Sequence, residues 1–245
     1  MKFATACYNT FAQKGQAYIK EEMPEIFKGI NEEELFKKLD TLSAVTKITP
    51  LKGMEFNFEI GGKKFTLEAL SQGMEAATFK LKSQDGKSVI FKNFHARSDK
   101  APKTNISFAP EGLYGGLGIL REANLAKVSD VPKLYLANPI YEPINGVIHK
   151  EQGYKGGWMI SENVEDKIAP SEGVKFLDWI KEKGLVATDI RGDNVINGYC
   201  VDTGFILPRR FYNFYNSGWG NFEVNNVCAR FITGNTTSEI IKLLQ

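Results

Sequence analysis

The chain has 245 residues, of which 42% are hydrophobic and 24% charged, with a formal net charge of +2. Such a balance excludes wholesale disorder, suffices for a buried core and gives no reason to single out nucleic acid as a partner. Cys7, Cys200 and Cys228 are few and scattered, and His95 and His149 lie far apart, which excludes a disulfide framework and a histidine-based zinc site. No apolar run reaches bilayer length, and the opening MKFATACYNTFAQKGQ is too broken by Asn, Gln and Lys to read as a signal peptide.

Residues 1–50 read as helical. EEMPEIFKGI and NEEELFKKLDTL repeat apolar residues every three or four positions, and Asn31 before three glutamates fits a helix N-cap. After Pro50 the period changes to two. Phe56, Phe58 and Ile60 alternate with polar residues, Gly61-Gly62 marks a tight turn, and KKFTLEAL alternates back. TFKLKS and KSVIFKNF form a second hairpin through Gln84-Asp85-Gly86, so residues 54–94 are expected to make a small antiparallel sheet.

Residues 95–116 read as loop, with two prolines and Gly115-Gly116. ILREANLAKV reads as a helix closed by Ser129-Asp130 and Pro132, then LYLANPIY and GWMISENV as strands. SEGVKFLDWIKEKG is a helix with Gly184 as its stop, and a hinge is expected near 161–168. Residues 205–235 are aromatic and rich in Asn and Gly, without assignable period, and SEIIKLL closes the chain as a short helix. The order describes a two-lobed α+β arrangement.

Chemistry concentrates in TDIRGDNVINGYCVDTG, residues 188–204. Asp189 and Asn194, five apart in a glycine-bearing loop, can point into one cavity, and a return through Gly198 brings Asp202 beside Asn194. Oxygen ligands from Asn194 and Asp202 suit Mg²⁺, which keeps several waters and binds through one or two carboxylates plus substrate phosphates. Asp189, left off the metal, can accept a proton from an attacking hydroxyl. Arg191 would sit near a transferring phosphate, where a cation counters developing charge.

This stretch resembles the catalytic and metal-binding loops of the protein-kinase-like superfamily: Asp189-Ile190-Arg191-Gly192-Asp193-Asn194 is similar to Asp-x-Lys-x-x-Asn, and Asp202-Thr203-Gly204 to Asp-Phe-Gly. It departs in having Ala187-Thr188 for His-Arg, Arg191 for Lys and Thr203 for Phe. The first departure removes the arginine that reads a phosphorylated activation loop. The resemblance implies a strand lysine, met by Lys92 in SVIFKNF, and a helix glutamate to hold it, met by Glu122. It also implies a turn over the phosphates, met by Gly73 alone, and a hinge whose backbone binds adenine at Glu162 and Val164. ATP and Mg²⁺ are the implied cofactors.

About 26 residues separate the hinge from Asp189 and about 43 follow Asp202. This economy resembles the minimal effector kinases that pathogenic bacteria inject into host cells. The expectation is an abbreviated two-lobed kinase-like fold: a helical extension over 1–53, an N-lobe over 54–162 and a truncated C-lobe over 163–245. By the same resemblance the protein has a cytoplasmic fold, is delivered by a specialised secretion system, and phosphorylates Ser or Thr of a host protein, with a chaperone or ubiquitin-pathway component as partner. Two alternatives stand beside it: a small-molecule phosphotransferase of the aminoglycoside or choline kinase sort, and a pseudokinase binding module. Gly86-Lys87-Ser88 lacks the upstream glycine of a phosphate-binding loop, Gly115-Gly116-x-Gly118 has no βαβ context, and no Gly-x-Ser-x-Gly elbow occurs.

Overall fold

The computed structural model describes residues 18–45, 52–72, 76–94, 108–138, 142–143, 154–155, 157–165, 167, 174–187, 194–203 and 206–208. The fold is mixed α+β. Its described residues fall into two compact units, one within 14–113 and 134–163, the other within 114–133 and 164–245.

The first unit is built on a seven-stranded antiparallel sheet. In chain order its strands are β1 (Ile19–Lys20), β2 (Glu55–Ile60), β3 (Lys63–Gln72), β4 (Ala76–Ser83), β5 (Ser88–Phe94), β6 (Leu134–Asn138) and β9 (Trp158–Glu162). Between β6 and β9 lies a two-residue pair, β7 (Glu142–Pro143) with β8 (Tyr154–Lys155). Across the sheet the order is β1-β6-β9-β5-β4-β3-β2. The two hairpins arise where the turn chemistry places them. Gly61 and Gly62 have φ of 56° and 74°, the paired positive values of the turn that matches strand twist, and Ile60 pairs with Lys63 across it. At the second turn Gly86 (φ 82°) donates to the Ser83 carbonyl, and Ser83 to that of Lys87, a three-residue loop with glycine in the left-handed position.

Helix α1 (Glu32–Val45) covers one face of this sheet. Asn31 caps it as expected, its Oδ1 accepting from the Glu34 N–H at 3.1 Å. Leu35, Phe36, Leu39 and Leu42 recur at helical spacing and pack with Phe65, Leu67, Phe79, Leu81, Phe91, Trp158 and Ile160 in one core. Asp40 of α1 accepts from Trp158 Nε1 at 2.7 Å, Asn138 Nδ2 at 2.8 Å and the Tyr18 hydroxyl at 2.6 Å. The helical segment expected before residue 54 is therefore a layer of the sheet unit.

The run EEMPEIFKGI does not continue as α-helix. Pro24 is extended, only Glu25–Phe27 form a short 3₁₀ turn, and Gly29 (φ 81°) ends it. Upstream, Ile19–Lys20 pair with β6, and the Glu21 N–H donates to the Tyr135 carbonyl, so the chain enters along the sheet edge.

Helix α2 (Phe108–Leu125), of which residues 114–125 belong to the second unit, starts inside the segment expected to be loop. Pro110 falls in its first turn, where the missing N–H is not needed, and Leu117, Leu120 and Ala123 are buried at helical spacing, which outweighs the glycine cost. The helix closes on Lys127 in the left-handed region (φ 58°), with Val128 donating to Ala123 and Lys127 to Asn124. Helix α3 (Val174–Glu182) follows, with Phe176, Leu177 and Ile180 buried and Gly184 (φ 70°) as its stop. Strand β10 (Leu185–Ala187) pairs with β13 (Ile206–Pro208), a strand at the start of the region without assignable period, and β11 (Val195–Ile196) pairs with β12 (Tyr199–Cys200). Among the described residues no helix is long and apolar enough to cross a membrane.

Candidate functional site

Lys92 lies on β5, inside the sheet. Val89, Phe91 and Asn93 of that strand are buried, while Ser88, Ile90 and Lys92 alternate with them and are part exposed. Lys92 pairs with Thr78 of β4 and Met159 of β9, so these three side chains share the face opposite α1. Its ammonium stands 5.7 Å from the centroid of the Phe94 ring, within cation–π reach. The next rung on this face is Lys80, Ile90 and Ser161, so a second lysine shares the face with Lys92.

Strand β9 ends at Glu162, opposite Val89. Three residues of β5 thus separate Lys92 from the level at which the chain leaves the sheet, roughly 10 Å along the strand. That exit is anchored: Asn163 Nδ2 donates to Ser88 Oγ at 2.9 Å, and Val164 is buried.

Asn194 and Asp202 flank the β11–β12 hairpin in the second unit. Asn197 (φ 49°) and Gly198 (φ 77°) make its two-residue turn. Val195 pairs with Cys200, and the Val201 N–H donates to the Asn194 carbonyl at 2.9 Å. The hairpin therefore sets Asn194 against Val201, with Asp202 one residue beyond. Both candidate ligands are hard oxygen donors and only part buried, a donor set that fits a small divalent cation keeping most of its water. Among the described residues no group of three or more His, Cys, Asp and Glu could hold a metal.

Two further residues brace the hairpin. Asp130, fully buried after α2, accepts the Cys200 N–H on its carbonyl at 2.8 Å and the Phe176 N–H on its carboxylate at 2.9 Å. Burial raises the Asp130 carboxyl above its ordinary value, against the opposing N–H groups at the start of α3. Asn197 donates to the carbonyls of Val164 and Glu165. The Asn-Gly dipeptide signals the turn, but no local signal in the sequence announces either brace, because both partners are distant in the chain.

Glu122 is in the last turn of α2, part buried, with its carbonyl accepting the Ala126 N–H. It belongs to the second unit and Lys92 to the first. Glu162 and Val164 stand at the end of β9 and just past it. Gly73, Asp189 and Arg191 lie outside the described residues.

No family model matches the sequence. No curated protein matches it either. Among solved structures, the kinase domain of a Toxoplasma gondii specific rhoptry antigen is similar at a TM-score of 0.30 and 14% identity, over 84% of this chain. The chain spans 63% of the length of that domain. A likeness this loose carries no argument about activity.

Proposed function

We propose that the protein is an ATP- and Mg²⁺-dependent kinase of the protein-kinase-like superfamily, transferring phosphate to a Ser or Thr hydroxyl of a protein. The observation that carries this reading is the relation of Lys92 to the end of β9. A cation sits on the sheet face opposite α1, on the strand adjacent to the one that delivers the Glu162–Val164 backbone. Base and phosphates of one nucleotide need such groups about that far apart.

In this reading the backbone at Glu162 and Val164 binds the adenine, and Lys92, held by Glu122, neutralises the α- and β-phosphates. The resemblance assigns Gly73 to the turn over them. Asn194 and Asp202 would hold Mg²⁺, which supplies positive charge to the phosphates. Asp189 orients the acceptor hydroxyl and takes its proton, and Arg191 steadies the γ-phosphate. The chemistry asks the protein mainly for positioning and electrostatics. By its resemblance to minimal bacterial effector kinases, the acceptor is a host protein and the site of action a host cytosol.

Incubation with γ-labelled ATP, Mg²⁺ and a generic protein acceptor tests this. Labelling of the acceptor or of the protein itself is expected, and Asp202→Ala should abolish it. Equal labelling by that variant overturns the metal assignment. ATP turnover only with small acceptors would move the reading to a small-molecule phosphotransferase, and no Mg-ATP thermal shift would leave a binding module.

A further inference from the structure

A hairpin with two paired residues per strand is too short to hold its own position. Whatever Asn194 and Asp202 do, their placement depends on what the hairpin is tied to. At its tip, Asn197 Nδ2 donates to the Glu165 carbonyl at 2.7 Å and the Val164 carbonyl at 3.1 Å, 32 and 33 residues away in sequence. A carboxamide nitrogen carries two protons, and two adjacent carbonyls take them. The turn itself requires only a residue that tolerates positive φ, for which glycine serves as well. The carboxamide is therefore more than the turn demands. Its acceptors are also specific: they are the first two residues of the chain after it leaves β9 and passes Asn163.

We propose that Asn197 is a positioning residue, whose paired hydrogen bonds lock the hairpin bearing Asn194 and Asp202 to the Val164–Glu165 backbone and so keep the metal-holding groups in register with the base-holding Val164 backbone. The inference rests on the nucleotide reading above. It differs in consequence from a stabilising turn contact, because it couples the ion to the nucleotide rather than the hairpin to the fold.

Two substitutions separate these roles. Asn197→Gly keeps the turn and removes the donor. Asn197→Asp keeps shape and tolerance of positive φ but turns an oxygen toward two carbonyls. Binding of a non-hydrolysable ATP analogue is measured by calorimetry with excess Mg²⁺ and with EDTA, alongside thermal melts. The expected result is an intact cooperative melt in both variants and unchanged affinity in EDTA. The Mg²⁺-dependent gain in affinity should fall about 10–100-fold, as for residues that orient metal ligands from behind. A full Mg²⁺-dependent gain in both variants overturns the proposal, and so does loss of folding in both, which would make Asn197 a residue of general stability. Failure of the wild type to show any Mg²⁺-dependent binding instead strikes the nucleotide reading, and this proposal with it.

Discussion

Ser43 and Asn93 exchange two hydrogen bonds inside the core: the serine hydroxyl donates to Asn93 Oδ1 at 2.7 Å, and Asn93 Nδ2 to the Ser43 carbonyl at 2.9 Å. Both residues are buried, and Asn93 is the immediate neighbour of Lys92. Helix α1 is thus tied to the lysine strand on the face away from the lysine. The pair fixes which side of β5 is core and which side can serve a ligand.

Ser43→Ala removes the hydroxyl donor and should cost about 1–3 kcal/mol of stability, the penalty for leaving a buried acceptor short of a partner. Urea melts at fixed slope measure it. Because the helix lies on the opposite face, affinity for an ATP analogue in the folded variant should stay at the wild-type value. A large affinity loss with no change in midpoint would contradict the two-faced description of β5.

Lys92→Met keeps the aliphatic length of a part-exposed side chain and removes the charge. The melt should be close to wild type, since no core contact is lost. The labelling rate should fall on the order of 10²–10³-fold, the usual consequence of deleting one preorganised phosphate-stabilising group. Initial rates at saturating ATP decide it, and a wild-type rate would remove Lys92 from the site.

Asp130 predicts an unusual pH dependence. Burial raises its carboxyl above the ordinary 3.8. The folded state then binds more protons than the unfolded state, so this group's contribution is fully present below 3.8 and is lost as pH rises through the folded value. Asp130→Asn keeps an oxygen for the Phe176 N–H and should flatten that slope. Denaturant melts across the acid range should show the variant gaining on wild type as pH rises. The reverse trend would mean that the charged carboxylate is what the start of α3 requires.

Local chemistry made much of this fold legible. Asn31 before three glutamates announced α1, Gly61-Gly62 announced the first hairpin, and alternation placed Lys92 on a strand. It failed where burial overrides propensity. Three glycines and a proline hid the first turns of α2, which forms because Leu117, Leu120 and Ala123 find a core. The helical period of EEMPEIFKGI misled because Pro24 and Gly29 limit it to one turn.

Of the candidate site, the sequence by itself determined the residue types and their spacing: a strand lysine, an Asn-Gly return, and the Asn194 and Asp202 that flank it. Those depend on contacts a few residues apart, where period and turn chemistry act directly. Only the tertiary structure decided that Lys92 lies on the face opposite α1, that Asp130 holds both the start of α3 and the Cys200 strand, and that Asn197 reaches back to Val164 and Glu165. Each of these is a hydrogen bond or strand pairing between distant segments, and no local pattern encodes which buried polar group will meet which.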